Sequence, residues 1–176
     1  NDYVDHFVIV ESRFNHKGDK RDLKFNIEKF QKFKNKIIYL VYDQEPKKIE
    51  KICEKDSEAM KSKKYILNAA YRENGQRNFI QTGLNKAKNN DLILISDVDE
   101  IPNLVNLDLN TISEKIIFFQ QDMFYYKFNL QLPGLIWVGT RACKKKNLIS
   151  PQWLRNIKDK KYPFFRIETI FSKTKY

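Results

Sequence analysis

Six apolar residues in unbroken succession, IIYLVY at 37 to 42, set the strongest limit on what this chain can fold into. A run that short suits a strand, and without polar alternation it has to be covered on both faces. Strands of that kind sit in parallel sheets beneath helices, so the run predicts an α/β fold. DHFVIVE at 5 to 11 reads as a companion strand, and FNIEKFQKFKNK between the two as a short helix. Pro46 suits a helix start, and residues 47 to 60 read as a charged helix with Ile49, Ile52 and Cys53 as its apolar stripe. A longer helix is expected from about Arg72 to Asn89, feeding a strand at 91 to 96. Beyond Pro102 come three strand-like segments, KIIFFQ, MFYYKFNL and LIWVGTRA, then a short helix near SPQWLRNI and a last strand near PFFRIETIF. Helices and strands alternate in the first half and strands cluster in the second. That order predicts a mixed sheet flanked by helices, parallel in its first half and more antiparallel in its second.

The 176 residues amount to one domain, and with 41% hydrophobic, 31% charged and only five glycines and five prolines they leave little room for linkers. No apolar run approaches the roughly 20 residues of a membrane span. NDYVDHFVIVE, at 1 to 11, carries no basic n-region, so no secretory leader is expected there. Cys53 and Cys143 have no CxxC partner and stand far from His6 and His16, which excludes zinc spacing. Two lone thiols in a lysine-rich chain point to a reducing compartment, hence the cytoplasm. The net charge of +11 is concentrated: from Met123 onward twelve Lys or Arg face only Asp159 and Glu168, leaving +1 for everything before. A solvated lysine-rich face explains this as well as an anionic substrate or the inner face of a membrane does. Nucleic acid is not expected, because KKK at 144 to 146 lacks interleaved aromatics and no nucleic-acid-binding signature occurs.

The chemistry concentrates in DLILISDVDEIP at 91 to 102, where the apolar run Leu92 to Ile95 meets three acids and a proline. In open α/β sheets ligands gather at the carboxyl ends of the parallel strands, and these acids stand at that end of theirs. Asp97 and Asp99 are two apart, so an extended segment projects both carboxylates to one side. Uncompensated, the pair would raise one pKa; a hard divalent cation resolves this by taking carboxylate oxygens together with waters and phosphates. An Asx-type turn capping a buried strand is the plainer alternative.

Glu73, Arg77, Ile80, Leu84 and Ala87 step by four, three, four and three, one stripe of the expected helix from 72 to 89. From Arg77 to Asn89 such a helix covers about 18 Å, and from Asp91 to Asp97 the strand covers about 20 Å. Running antiparallel, the two would return Arg77 to the level of Asp97, to hold the acids or a diphosphate. A surface ion pair between Glu73 and Arg77 accounts for the same spacing. Two enzyme classes place an aspartate pair after a buried strand. A haloacid-dehalogenase-type phosphatase would use Asp97 as nucleophile, but Ile101 follows the acids where a Thr or Val is wanted, and later acids are scarce. A nucleotide-sugar site needs the pair only as a clamp.

VDHFVIVESRF, KFKNKIIYLVYD, NGQRNFIQTGL and above all DLILISDVDEIP, in that order, resemble glycosyltransferase family 17, the family of the β-1,4-mannosyl-glycoprotein 4-β-N-acetylglucosaminyltransferase. QRN followed about twenty residues later by SDVDEIP is the specific part. The resemblance implies a GT-A-like fold and a metal-dependent, inverting transfer of N-acetylglucosamine from its UDP donor to a glycan acceptor. It implies that Asp97 and Asp99 carry Mn²⁺ or Mg²⁺, with Glu100 beside them, Glu11 near the donor pocket, and Arg77 and Asn78 supporting the acids or the diphosphate. Asp122, just past the IIFFQ strand, is the expected general base. Trp137 and the FYY of 124 to 126 offer rings that either stack on an acceptor sugar or pack as core, and Arg141 is either an acceptor contact or a plain surface charge. The basic last third suits an anionic or lipid-linked acceptor and a peripheral membrane contact. Residues 1–176 are expected to form a single glycosyltransferase-like domain without the family's first strand and its C-terminal Trp-His segment. A nucleotide-sugar-binding module without turnover is the alternative that this leaves open.

Overall fold

The computed structural model describes residues 3–105, 107–108, 113–127 and 129–158. The chain divides into two compact units, Asn1–Lys86 and Ala87–Tyr176. The expected last strand near PFFRIETIF lies outside the described residues.

In the first unit, strands β1 (Phe7–Ser12) and β2 (Ile37–Tyr42) pair in parallel, Phe7 opposite Ile37 and Ser12 opposite Tyr42. The apolar run therefore does what its composition requires. The short helix expected between the strands is present as a 3-10 helix at Ile27–Lys36, kinked at Phe30. Phe25, just before it, lies 4.9 Å from Tyr39 and 5.4 Å from Phe30, centroid to centroid, while Phe30 itself stays exposed.

The long helix α1 spans Glu58–Phe79, starting where the Ser57 side chain accepts the Met60 N–H. Two helix expectations are corrected here. Residues 47 to 57 form no helix, because their backbone groups are engaged elsewhere. The Asn68 amide accepts from the Glu50 N–H at 2.9 Å and donates to the Glu50 carbonyl at 2.8 Å, much as a neighbouring strand would. Asp56 likewise accepts from the Cys53 N–H and pairs with Lys64. The helix expected to run to Asn89 ends ten residues earlier, at Phe79, and gives way to a 3-10 turn at Ile80–Gly83. There the chain presses onto the sheet: a Cβ on Gly83 would stand 2.5 Å from Val8 Cγ1 and 3.0 Å from Leu40 Cδ1. Gly75 serves the same close approach about two turns earlier, beneath the Tyr42 hydroxyl.

The second unit is antiparallel. Strands β3 (Leu92–Ile95), β7 (Arg141–Lys144) and β4 (Ile117–Phe118) form a sheet in the order β3-β7-β4. Strands β5 (Gln121–Phe124) and β6 (Gln131–Trp137) form a separate hairpin. LIWVGTRA, expected as one strand, is divided between β6 and β7, with Val138–Thr140 turning the chain. The expectation that the acidic segment ends a parallel strand is also corrected, since β3 pairs antiparallel with β7, Ile95 opposite Arg141. Helix α2 (Pro151–Asn156), capped by Ser150, packs Leu154 into a core made with Ile93, Ile95, Ala142, Cys143 and Ile157. Burial pushes the Cys143 thiol up to about 11, so it is a neutral core group at ordinary pH. Both cysteines are unbridged. Parallel and antiparallel sheets thus occur in one α/β chain, and no described helix is long and apolar enough to cross a membrane.

Candidate functional site

Strand β3 ends at Ile95, and the next residues close a turn. Ser96 Oγ and Thr140 Oγ1 are 2.9 Å apart, tying the exit of β3 to the segment before β7. The Glu100 N–H donates to the Asp97 carbonyl at 3.1 Å, and the Asp97 N–H donates back to Glu100 Oε2 at 3.0 Å. This reciprocal pair stands the acids out of the sheet. Val98 and Asp99 are exposed, the Asp97 carboxylate is part-buried, and Glu100 is turned inward with 8% of its surface accessible. Asp97 and Asp99 thus differ in surroundings although they are two residues apart.

Glu100 is surrounded by donors. The Trp137 indole N–H reaches Oε1 at 2.9 Å, while Arg155 gives Nη1 to Oε2 at 2.7 Å and Nη2 to Oε1 at 2.9 Å. The same Nη2 donates to Asp97 Oδ2 at 2.7 Å, and Nη1 also donates to the Gly139 carbonyl. Space for this comes from Gly139, where a Cβ would lie 2.0 Å from Glu100 Oε1. Arg155 was not among the residues expected from the sequence. It is 58 positions from Asp97, and only its place on a Ser-Pro-capped helix sets it apart from the other basic residues of the last third.

Asp97 and Asp99 fit a divalent cation of one kind. Among the described residues no group of three His, Cys, Asp or Glu could enclose a metal unaided. Two carboxylates on an exposed turn suit Mg²⁺ or Mn²⁺ whose remaining ligands are phosphate oxygens and waters. They would not suit a closed protein cage.

The other expected residues fall as follows. Asp122 is exposed on β5, opposite Ile136 of β6. Trp137, at the end of β6, leaves its ring half exposed while its N–H is held by Glu100. Tyr125 and Tyr126 follow β5 and are exposed, Tyr126 with φ of 58°. Arg141 is part-buried, donating to the carbonyls of Arg155 and Val138 and lying 5.7 Å from the Phe118 ring centroid. That places its guanidinium inside the unit, bracing α2 against β7.

Glu11, Arg77 and Asn78 belong to the first unit. Arg77 pairs with Glu73 at 2.8 Å, the i,i+4 contact that their spacing allows, and Asn78 is exposed beside it on the last turn of α1. Because the helix stops at Phe79, the unbroken 72 to 89 ruler on which Arg77 was measured against Asp97 does not exist. Glu11, next to last in β1, has both oxygens engaged, accepting from the Lys24 N–H at 2.8 Å, the Phe25 N–H at 3.0 Å and the Tyr39 hydroxyl at 2.9 Å. Burial alone would raise this carboxyl. The donors from Lys24, Phe25 and Tyr39, with Arg21 nearby, outweigh burial and hold it below the usual glutamate range.

A depressed carboxyl stabilises the fold above its unfolded pKa, and that contribution is lost as the pH falls through the folded value. Acidification below the usual glutamate range should therefore release the Lys24 and Phe25 amides before the rest of the unit. Hydrogen exchange at those two amides checks this: protection should fall with pH in the parent and be low throughout in Glu11→Gln. Protection in Glu11→Gln equal to the parent's would refute it.

The sequence model described as glycosyltransferase family 17 matches residues 1–149. No curated protein and no solved structure matches the chain at a significant level. The matched residues include the Asp97 to Glu100 turn, Trp137 and Gly139, and they stop before Arg155.

Proposed function

The chain belongs to glycosyltransferase family 17, and from that premise we propose a metal-dependent, inverting transfer of N-acetylglucosamine from a UDP donor to a glycan acceptor. The observation that carries the reading is the Asp97–Glu100 turn, in which an exposed Asp99 and a part-buried Asp97 are held at the end of β3 by a buried hydrogen-bond network. Family membership favours transfer over the phosphatase alternative, which would need Asp97 as a free nucleophile, whereas Asp97 Oδ2 is held by Arg155.

In this reading Asp97 and Asp99 hold Mn²⁺ or Mg²⁺ on the donor diphosphate. Such a cation would supply charge neutralisation for the leaving diphosphate. Asp122 is the proposed base: it takes the proton of the acceptor hydroxyl as that oxygen bonds to C1 on the face opposite the leaving UDP. Trp137 offers the acceptor a half-exposed ring whose orientation is fixed through Glu100. The basic last third favours an anionic or lipid-linked acceptor at a membrane surface, and the two unbridged cysteines fit the cytoplasmic side.

Titration with UDP, with and without Mn²⁺, tests the donor site, and product analysis from UDP-N-acetylglucosamine tests the transfer. Tight UDP binding only with the cation, and a β-linked product, are expected. Binding indifferent to Mn²⁺ would exclude the metal site, and a retained α-linkage would exclude inversion. Adding vesicles with and without anionic lipid to the same assays tests the membrane contact, which a rate independent of lipid charge removes.

A further inference from the structure

We propose that Arg155 is a positioning residue of the donor site, setting the orientation of Asp97 and holding the acidic turn formed before any cation or nucleotide arrives. The inference rests on the donor-site reading and adds to it a residue beyond the family-matched segment.

Two carboxylates in one turn repel, and a turn carrying Asp97 and Glu100 close together with no cation beside them would splay. The Arg155 guanidinium removes that tendency. It is planar and presents donors in fixed directions, which lets one side chain bridge Glu100 with both nitrogens while one of them also reaches Asp97 Oδ2. Its side chain is only 9% exposed, and the Gly139 carbonyl takes a further N–H. Both terminal nitrogens are thus engaged within the protein, so the role is exerted through Asp97 and Glu100.

The network is also rooted at its far end. The Arg155 carbonyl accepts from Arg141 of β7, and Leu154 beside it is fully buried. Helix α2 therefore delivers the guanidinium from a fixed point. A lysine at 155 would keep the charge but could not span Asp97, Glu100 and Gly139 together. Partners that orient a metal-binding carboxylate typically govern affinity by roughly 10- to 100-fold. The Trp137 N–H reads the same carboxylate, so the network carries its own spectroscopic reporter.

The experiment uses Trp153→Phe as the parent background, leaving Trp137 as the remaining tryptophan of the two. Arg155→Lys in that background should shift the Trp137 emission and increase its quenching by acrylamide. It should also weaken Mn²⁺-dependent UDP binding by roughly 10- to 100-fold while leaving metal-free UDP binding unchanged. Glu100→Gln, which preserves side-chain volume and an acceptor for Trp137, should move both readouts the same way by less, and it stands in should Arg155→Lys fail to fold. Emission and Mn²⁺-dependent affinity both equal to the parent's overturn the inference. A parent that binds no UDP with Mn²⁺ refutes the donor-site reading instead. The Trp137 emission of Arg155→Lys then decides the positioning role alone, a shift supporting it and an unshifted spectrum ending it.

Discussion

A protein carrying both Asp97→Asn and Asp99→Asn should lose about a thousandfold or more in transfer rate, equivalent to about 4 kcal/mol of transition-state stabilisation. Asparagine preserves the volume of each side chain and removes the charge a hard cation requires. The two substitutions are not equivalent. Asp97 also accepts from Arg155, so Asp97→Asn weakens the network as well as the cation site. Asp99 is exposed on the same turn, so Asp99→Asn alone should lower Mn²⁺-dependent UDP affinity with the melting temperature unchanged. Calorimetric titration of the two single variants and the double variant separates these contributions. UDP affinity in the double variant that matches the parent in the presence of Mn²⁺ would remove the aspartates from the donor site.

Glu100→Ala should cost stability as well as activity, about 3 kcal/mol. Removing one partner of a buried ion pair leaves the other charge uncompensated, and the usual cost is several kcal/mol. The low end applies because Arg155 keeps Asp97 and the Gly139 carbonyl. The Trp137 indole N–H and the Asp97 N–H lose their acceptor as well. For a chain of this size the fall in melting temperature should be about 6–12 °C. Thermal unfolding followed by circular dichroism measures it, and a fall under about 2 °C would mean that the ion pair contributes little to the second unit.

The features legible in the sequence were those decided by a few neighbouring residues. IIYLVY declared a strand of a parallel pair, and SDVDEIP declared an acidic turn after an apolar strand. The misread features were decided by residues far along the chain. Residues 47 to 57 had the composition of a helix, but Asn68 offers the Glu50 backbone its hydrogen bonds from 18 positions away. The helix through Arg77 had good periodicity as far as Ala87, yet packing of Gly83 against Val8 and Leu40 replaces its last turns with a tighter one. Arg155 was hidden for the same reason: nothing within several residues of it distinguishes it from the lysines around it. Local pattern located the carboxylates but could not locate the cation that orients them.

Gly139 ties the history of the site to its geometry. The Glu100 carboxylate occupies the volume that any side chain at 139 would need, and the Trp137 Nε1 lies equally close to that point. A side chain at 139 and a glutamate at 100 therefore exclude one another. The constraint runs one way across the 39 positions between them: Glu100 in this conformation requires glycine at 139, whereas Gly139 leaves position 100 room to shorten.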